Sequence, residues 1–270
     1  MVSFTHVNYF VEGIKEAFNW SRVIRLISLS KQTQYTLIKS FALNGVIYLG
    51  TLVLLETFYP NHHIFGYSYT DLTGYPLSLV CLVLNSRLYA KIAQFEQNTT
   101  GGSFDNNNNN LSVIMLYGNM ALFTLLLKMI PVVGSVLAFI IYCIVMSYYC
   151  FEYKWMKHDW SIEKRLTFAE EHWSYYLGFG LPGTILTFFL STLKASAVFA
   201  LIYPTYIIMA SAARPQPVQK SETDRIPIFF GVRIMNQCIT NLWLRYYRQS
   251  KSYVSLPLNT LDTIKFSKRE

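Results

Sequence analysis

The sequence predicts an all-α membrane protein, a bundle of about six membrane-inserted helices with amphipathic helices outside the bilayer. Three observations predict this fold class. Of the 270 residues, 52% are hydrophobic and only 14% are charged, so polar side chains are too few to cover a water-soluble domain. Several apolar runs approach the roughly 20 residues that cross a bilayer as a helix. Lys and Arg are absent from long stretches and cluster between them, which is typical of basic residues sorted to one side of a membrane.

The segment before the first span, residues 1–36, is predicted to be amphipathic and cytosolic. Its apolar residues recur at helical spacing, and we expect this helix to lie in the membrane interface. No secretory signal precedes the first span, because charges interrupt every early apolar run. The membrane domain is predicted to cover residues 37–213, and its first span is Leu37–Tyr59, which Pro60 ends.

The second span is the weakest of the predicted helices. Its apolar part, Leu72–Leu84, has 13 residues, fewer than a crossing needs. Extension back to Ile64 includes Asp71, and a carboxylate inside the membrane costs about 2.5–3.5 kcal/mol on insertion scales. We still expect a crossing, because the basic residues that follow, Arg87 and Lys91, should return to the side of the earlier ones.

An asparagine-rich stretch, residues 94–110, is predicted to be a disordered linker inside the membrane domain. The first hairpin of the second half follows it and consists of Leu111–Ile130 and Val132–Cys150. Pro131 separates the two runs, since proline removes a helix hydrogen-bond donor.

An amphipathic helix is predicted over residues 151–173, where apolar residues recur on one helical face. The second hairpin is Tyr175–Leu193 and Ala195–Ala213, two apolar runs that only Lys194 separates. Residues 214–270 form a basic cytosolic tail. Its one apolar stretch, Ile226–Trp243, is interpreted as an interfacial helix and not as a further span.

Several segments carry a resemblance to a known family. They are LNGVIYLG (Leu43–Gly50), YCFEYKW (Tyr149–Trp155), RL (Arg165, Leu166), WSYYLGFGLP (Trp173–Pro182) and YPTYIIMA (Tyr203–Ala210). In this order they resemble the etoposide-induced protein 2.4 family, which is distantly similar to the CysZ sulfate permeases. The resemblance implies a multi-span protein of the endoplasmic reticulum that supports autophagy without catalysis. Autophagy proteins of the membrane or cytosol, and the lipid bilayer, are the partners that it implies.

The family block supplies the candidate site residues. They are Phe151, Glu152, Trp155, Arg165, Trp173, Gly178, Gly180 and Pro182. Two interpretations stay open for the charged residues of this block, Glu152, Arg165, Glu170 and Glu171, and its tryptophans Trp155 and Trp173. They form either an ion-paired helix that locks the two halves of the bundle, or a cytosolic docking surface for autophagy partners. The glycines followed by proline favour close helix contact and a bend. The alternative is that backbone amides exposed at this break hold an anion or a lipid phosphate. A homo-oligomer is compatible with this sequence.

Two lysines in the hairpins are a second candidate site. Lys128 precedes the first hairpin break, and Lys194 separates the runs of the second. If both hairpins span fully, these lysines extend to lumenal headgroups. If the hairpins are re-entrant, as in CysZ-like proteins, two ammonium groups within the membrane would hold a small anion such as sulfate, and the protein would be a transporter or channel.

The sequence contains no pattern that indicates catalysis, metal binding or nucleic-acid binding. The four cysteines show no metal-ligand spacing, and no catalytic motif or phosphate-binding loop is present, so we expect neither an enzyme nor a bound cofactor or metal. The net charge of +8 does not indicate nucleic acid, because the 23 basic residues are distributed as topology signals. Both termini are therefore expected in the cytosol.

Overall fold

The computed structural model describes residues 2–98 except 61 and 65, 110–215 except 132, and 225–242 except 236 and 240. Its helices are, in chain order, α1 (Val2–Ala17), α2 (Trp20–Leu29), α3 (Lys31–Phe41), a π-helical segment (Ala42–Leu49), α4 (Gly50–Phe58), α5 (Tyr69–Asn98), α6 (Asn110–Lys128), α7 (Val133–Lys157), α8 (Ile162–Glu171), α9 (Trp173–Thr187) and α10 (Thr192–Ala212). Residues 230–235 are also helical. Two short antiparallel strands, β1 (His63–Ile64) and β2 (Tyr67–Ser68), connect α4 to α5.

Four helices in the described part of the chain are long and apolar enough to cross a membrane. They are Lys31–Phe58, Tyr69–Ala93, Val133–Lys157 and Thr192–Ala212. The shorter helices α6 and α9 are also apolar and complete the two predicted hairpins. The predicted fold class, an all-α bundle of membrane helices, is confirmed.

The first two spans are longer than the sequence patterns suggest. The first extends over α3, the π-helical segment and α4 as one continuous rod of 28 residues. Helix α5 has 30 residues, so the short apolar run inside it is flanked by polar turns of the same helix. It continues to Asn98, and α6 begins at Asn110, which shortens the predicted linker. The remaining linker residues, 99–109, lie outside the described part.

The break of the second hairpin differs from its predicted position. Helix α9 ends at Thr187 and α10 begins at Thr192, so Lys194 lies in the first turn of α10 and not between the helices. The 15 residues of α9 measure about 22 Å along the axis, less than the roughly 30 Å of a hydrocarbon layer. In the first hairpin the break follows Lys128, as the position of Pro131 predicts.

The predicted helix over residues 151–173 is two elements. Helix α7 continues through Lys157, and a turn separates it from α8. Asp159 takes a left-handed conformation with φ of 51°, which a helix interior does not allow. The Ser161 hydroxyl then accepts the Lys164 backbone N–H and starts α8 as an N-cap. The helix therefore breaks at Asp159 and Ser161 although the apolar periodicity continues across these residues.

Helix α9 is the centre of the bundle, with α1 and α7 packed along it and α10 beside it. Tyr203 on α10 contacts the Tyr89 ring of α5 and donates to the Tyr149 carbonyl of α7, which ties the two halves together. We call the end with Arg87, Lys91, Lys154 and Lys157 the basic end. The end with the hairpin turns at residues 129–131 and 188–191 is the tip end.

Candidate functional site

An aromatic cluster fills the space between α7, α8 and α9 at the basic end. Phe151 is 1% exposed, and its ring lies 5.1 Å from Tyr176 and 5.0 Å from Phe179 between centroids. Trp155, one turn later on α7, lies 5.1 Å from Tyr148. Edge-on and tilted contacts of this kind add to the burial of apolar area. Phe151 and Trp155 are therefore internal residues of the fold.

Glu152 and Arg165 form a buried ion pair beside this cluster. The Arg165 Nη1 lies 3.7 Å from the Glu152 Oε1, and both side chains are nearly inaccessible to solvent. The Arg165 Nε also donates to the Trp160 carbonyl at 2.8 Å. Removal of either charge would leave the other one buried without its partner, which is strongly destabilising. The pair fastens α8 to the end of α7.

Glu170 on α8 is a buried carboxylate whose partners lie on a distant segment of the chain. Its side chain has 0% exposure, and its carboxylate accepts hydrogen bonds from three residues of the C-terminal segment. Arg225 donates at 2.6 Å from Nη2 and 3.0 Å from Nε, and Arg233 donates at 3.0 Å from Nη1. The Phe229 backbone N–H donates at 3.0 Å. We call these four residues the tail clamp.

Sequence reasoning singled out Glu170 but missed the three C-terminal residues that complete the tail clamp. Within the predicted interfacial helix, Phe229 has 0% exposure, and its ring lies 5.8 Å from that of Tyr148 on α7 between centroids. Arg233 also contacts Glu163 on α8 through its Nε at 2.8 Å. Arg225, Phe229 and Arg233 recur at a spacing of four residues in the sequence, although only Arg233 lies within the helix, which begins at residue 230.

The remaining family-block residues lie at the contacts of α9. Trp173 stacks on His6 of α1, with ring centroids 5.2 Å apart. A Cβ atom at Gly178 would overlap the Phe10 carbonyl of α1, and one at Gly180 would overlap the Cys143 carbonyl of α7. Pro182 continues the helix without donating to the Gly178 carbonyl, since proline has no N–H. These residues allow α9 to approach two neighbours closely.

Lys194, the candidate anion contact, has a carboxylate partner. Its Nζ lies 2.7 Å from the Glu56 Oε2 of α4, and both side chains are partly exposed. The pair lines a polar cleft of about 560 Å³ at the tip end. The other lining residues are Pro60, Ser68, Thr70, Asp71, Tyr75, Ser191, Thr192 and Leu193. The side chain of Lys128 lies outside the described part, so the predicted pairing of the two lysines stays a prediction.

A hydrogen-bonded cluster of polar side chains lies between the membrane spans, and the sequence patterns did not predict it. Asn44 in the π-helical segment and Asn85 on α5 exchange amide hydrogen bonds of 2.9 and 2.7 Å. Asn44 also donates to the Ala200 carbonyl of α10 at 3.1 Å, and Tyr89 donates to the same carbonyl at 2.9 Å. Pro204 lies one turn later and offers that carbonyl no N–H. The Asn44 amide and the Tyr89 hydroxyl thus donate to the Ala200 carbonyl in place of the backbone N–H that Pro204 lacks.

Metal-ligating residues do not cluster in the described part of the chain. No group of three or more His, Cys, Asp or Glu side chains there could hold a metal ion. The cysteines are free thiols; Cys81, Cys143 and Cys150 are buried and Cys238 is exposed. At the basic end, Glu152 pairs with Arg165 and Glu170 pairs with Arg225 and Arg233, and these pairs form a structural joint.

Comparison with known proteins identifies relatives along most of the chain. A family model described as "Sulfate transporter CysZ/Etoposide-induced protein 2.4" matches residues 19–204. The "Protein EI24 homolog" of Dictyostelium discoideum is 28% identical over 249 residues, which cover 83% of this chain and 80% of the relative. The "Protein EI24 homolog" of Arabidopsis thaliana is 26% identical over 76% of this chain and 83% of the relative.

A shorter match is the "Ectopic P granules protein 4" of Caenorhabditis elegans, 31% identical over 98 residues, which cover 36% of this chain and 31% of that protein. No solved structure gives a significant match. The family model covers both the π-helical segment that carries Asn44 and the helices α7 to α9 around Phe151.

Proposed function

This chain belongs to the sulfate transporter CysZ/etoposide-induced protein 2.4 family, and from that membership we propose that it supports autophagy from the endoplasmic-reticulum membrane. It acts through protein partners or lipids and not by catalysis. The support for this proposal is the resemblance of the Phe151–Pro182 block, together with the structural joint that this block forms.

The observation that carries the proposal is the tail clamp. Glu170 is completely buried and fastens the C-terminal segment onto α8 at the basic end. A buried carboxylate is costly unless it is fully hydrogen-bonded, and here donors from three residues compensate it. The chain therefore uses a completely buried carboxylate to hold α8 and residues 225–233 together as one preformed surface. Such a surface suits the binding of partners or of anionic lipid headgroups.

The orientation that the proposal requires has the basic end in the cytosol. The four long helices together with the shorter α6 and α9 return the chain to its starting side, and Arg87, Lys91, Lys154 and Lys157 lie at one end. The excess of basic residues marks the cytosolic side of most membrane proteins. Protease added to sealed microsomes should cleave the α7–α8 turn. Protection of that turn together with glycosylation of an engineered site there would reverse the orientation.

Complementation in cells that lack the gene tests the function. The wild-type chain should restore autophagosome maturation, whereas Glu170→Gln should restore it poorly because the tail clamp loses its charge. Glu171→Gln is the matched control, since it changes a neighbouring carboxylate outside the tail clamp. Both variants should be compared at equal abundance in the endoplasmic reticulum. Normal autophagy in cells without the gene would contradict the proposal.

Anion transport is the second candidate function. It is favoured by the family description and by the position of Lys194 in a cleft of about 560 Å³ lined with hydroxyl groups. The Glu56 carboxylate at 2.7 Å already neutralises this lysine, which weakens its attraction for sulfate. Sulfate flux into proteoliposomes, with Lys194→Leu and Lys128→Leu compared with the wild type, distinguishes the two functions. Flux that the substitutions abolish, with normal autophagy, would favour transport.

A further inference from the structure

The polar cleft at the tip end lies where three membrane spans meet. The first span ends at Phe58, the second begins at Tyr69 and the fourth begins at Thr192. The cleft has a volume of about 560 Å³, which is within the usual size range of ligand-binding pockets. The ends of membrane spans lie at the level of the phospholipid headgroups. The cleft therefore opens into the headgroup layer of one leaflet.

The charged side chains that line this cleft do not balance. The Lys194 ammonium lies 2.7 Å from the Glu56 carboxylate. The Asp71 carboxylate accepts a hydrogen bond from the Ser68 hydroxyl at 2.8 Å, and no Lys, Arg or His of the described residues pairs with it. Two carboxylates and one ammonium thus line the cleft, an excess of one negative charge. A ligand that fits this charge pattern carries a cationic group of its own.

The start of α10 supplies donors for an anionic group in the same cleft. Ser191 is the N-cap but makes no side-chain cap hydrogen bond, and the Ala195 N–H bonds to its carbonyl. The backbone N–H groups of Thr192 and Leu193, which both line the cleft, therefore have no acceptor within the helix. The carboxylate partner of Lys194 needs only one of its three ammonium donors. A phosphate group suits such a set of donors.

An exposed apolar stripe continues from the cleft along α5. Tyr75 lines the cleft and is 55% exposed, and Leu79 and Leu82 follow on the same helical face with 64% and 66% exposure. These three side chains extend over about 10 Å of a helix that is long and apolar enough to cross the membrane. A ligand in the cleft therefore has an apolar surface directly beside its polar site.

We propose that the cleft binds the headgroup of phosphatidylethanolamine, a zwitterionic phospholipid with a primary ammonium group. The Asp71 carboxylate accepts from the ammonium group, and Lys194 and the start of α10 donate to the phosphate. One acyl chain lies along the stripe of Tyr75, Leu79 and Leu82. The quaternary ammonium of phosphatidylcholine has no N–H to donate, so the cleft selects against it. Sulfate brings negative charge without a cationic group and does not match the charges of the cleft.

Native mass spectrometry of the full chain, released from detergent micelles, tests the proposal. The protein is mixed with equal amounts of phosphatidylethanolamine, phosphatidylcholine and phosphatidylglycerol whose acyl chains differ in mass. Asp71→Asn removes the acceptor charge and keeps the shape of the side chain, and Lys194→Gln removes the ammonium donor. Asp159→Asn is the matched control, because Asp159 is exposed near the basic end and asparagine tolerates its left-handed backbone.

The wild-type chain should retain phosphatidylethanolamine about tenfold more than phosphatidylcholine, the scale of one charge-assisted hydrogen bond. Asp71→Asn should abolish this preference, and Asp159→Asn should keep it. Lys194→Gln should lower the retention of all three lipids, because they share the phosphate group. Equal retention of the two zwitterionic lipids by the wild type would overturn the proposal, and this comparison depends on no variant. An unchanged preference in Asp71→Asn would overturn it as well.

Two soluble competitors identify the source of the headgroup. Excess O-phosphoethanolamine, which is the same headgroup without acyl chains, should displace far less lipid than short-chain phosphatidylethanolamine does. Excess sulfate should displace none. Equal displacement by O-phosphoethanolamine would assign the cleft to a soluble ligand, and displacement by sulfate or preferred retention of phosphatidylglycerol would assign it to an anion. Either result overturns the lipid site. Complementation of autophagy is a separate measurement, because the cleft lies at the opposite end from the tail clamp.

Discussion

Asn44 and Asn85 exchange two amide hydrogen bonds, of 2.9 and 2.7 Å, between the first and second membrane spans. Both side chains are buried, 0% and 3% exposed, in a part of the bundle where water is not available as a replacement partner. The pair holds two spans in register and presents Asn44 to a third one, α10.

Asn85→Leu should destabilise the bundle by about 1 kcal/mol, the scale of hydrogen bonds between membrane helices. The reason is that Asn44 loses both a donor and an acceptor while its remaining partners stay in place. Reversible unfolding in mixed micelles would measure the change. Ser86→Ala is the matched control, because this exposed hydroxyl bonds only to the Val83 carbonyl of its own helix. An equal loss in both variants would show that the amide pair has no special role.

Tyr89→Phe and Pro204→Ala should be coupled. Tyr89 donates to the Ala200 carbonyl, which Pro204 leaves without its usual helical donor. With alanine at position 204 the helix can supply that donor, so Tyr89→Phe should cost less in this background. We expect a coupling free energy of about 0.5–1 kcal/mol in a double-mutant cycle. Additive effects would mean that the proline and the tyrosine act independently.

Glu170→Gln should release the C-terminal segment from α8. The loss should be about 2 kcal/mol, below the usual value for a broken buried pair, because Arg225 is 41% exposed and solvent screens part of its charge. Faster hydrogen exchange at the Phe229 amide, which donates to Glu170, would report the local release. Glu171→Gln should leave this amide protected. Unchanged exchange in Glu170→Gln would show that the tail is held by apolar packing alone.

Gly180→Ala should be far more damaging than Gly118→Ala. The added methyl group at position 180 overlaps the Cys143 carbonyl, and overpacking of this kind costs about 1–3 kcal/mol. Gly118 on α6 has open space around its Cβ direction, so alanine there should be neutral or slightly stabilising. Thermal unfolding of purified protein in detergent compares the two variants. Equal melting temperatures would show that α7 and α9 can separate without cost.

Much of the fold could be predicted because its signals are local. The lengths of apolar runs indicate the membrane helices, and Pro131 marks the first hairpin turn within a few residues. The second hairpin turn was misplaced at Lys194, because a single lysine does not end a helix, whereas the chain turns at residues 188–191. The helix over 151–173 was predicted as one element, because its apolar period continues across a break that Asp159 and Ser161 impose.

The sequence by itself determined that this is a membrane protein, which family it belongs to and where most of its helices lie. Each of these depends on the composition of a short stretch, on its charges or on residues that match directly. Only the tertiary structure decided that Glu170 meets Arg225 and Arg233, 55 and 63 residues away, and that α1 lies along α9. Such partners are determined by shape complementarity and by the need to satisfy buried charges and carbonyls, and spacing along the chain does not identify the distant residue that a buried charge will contact.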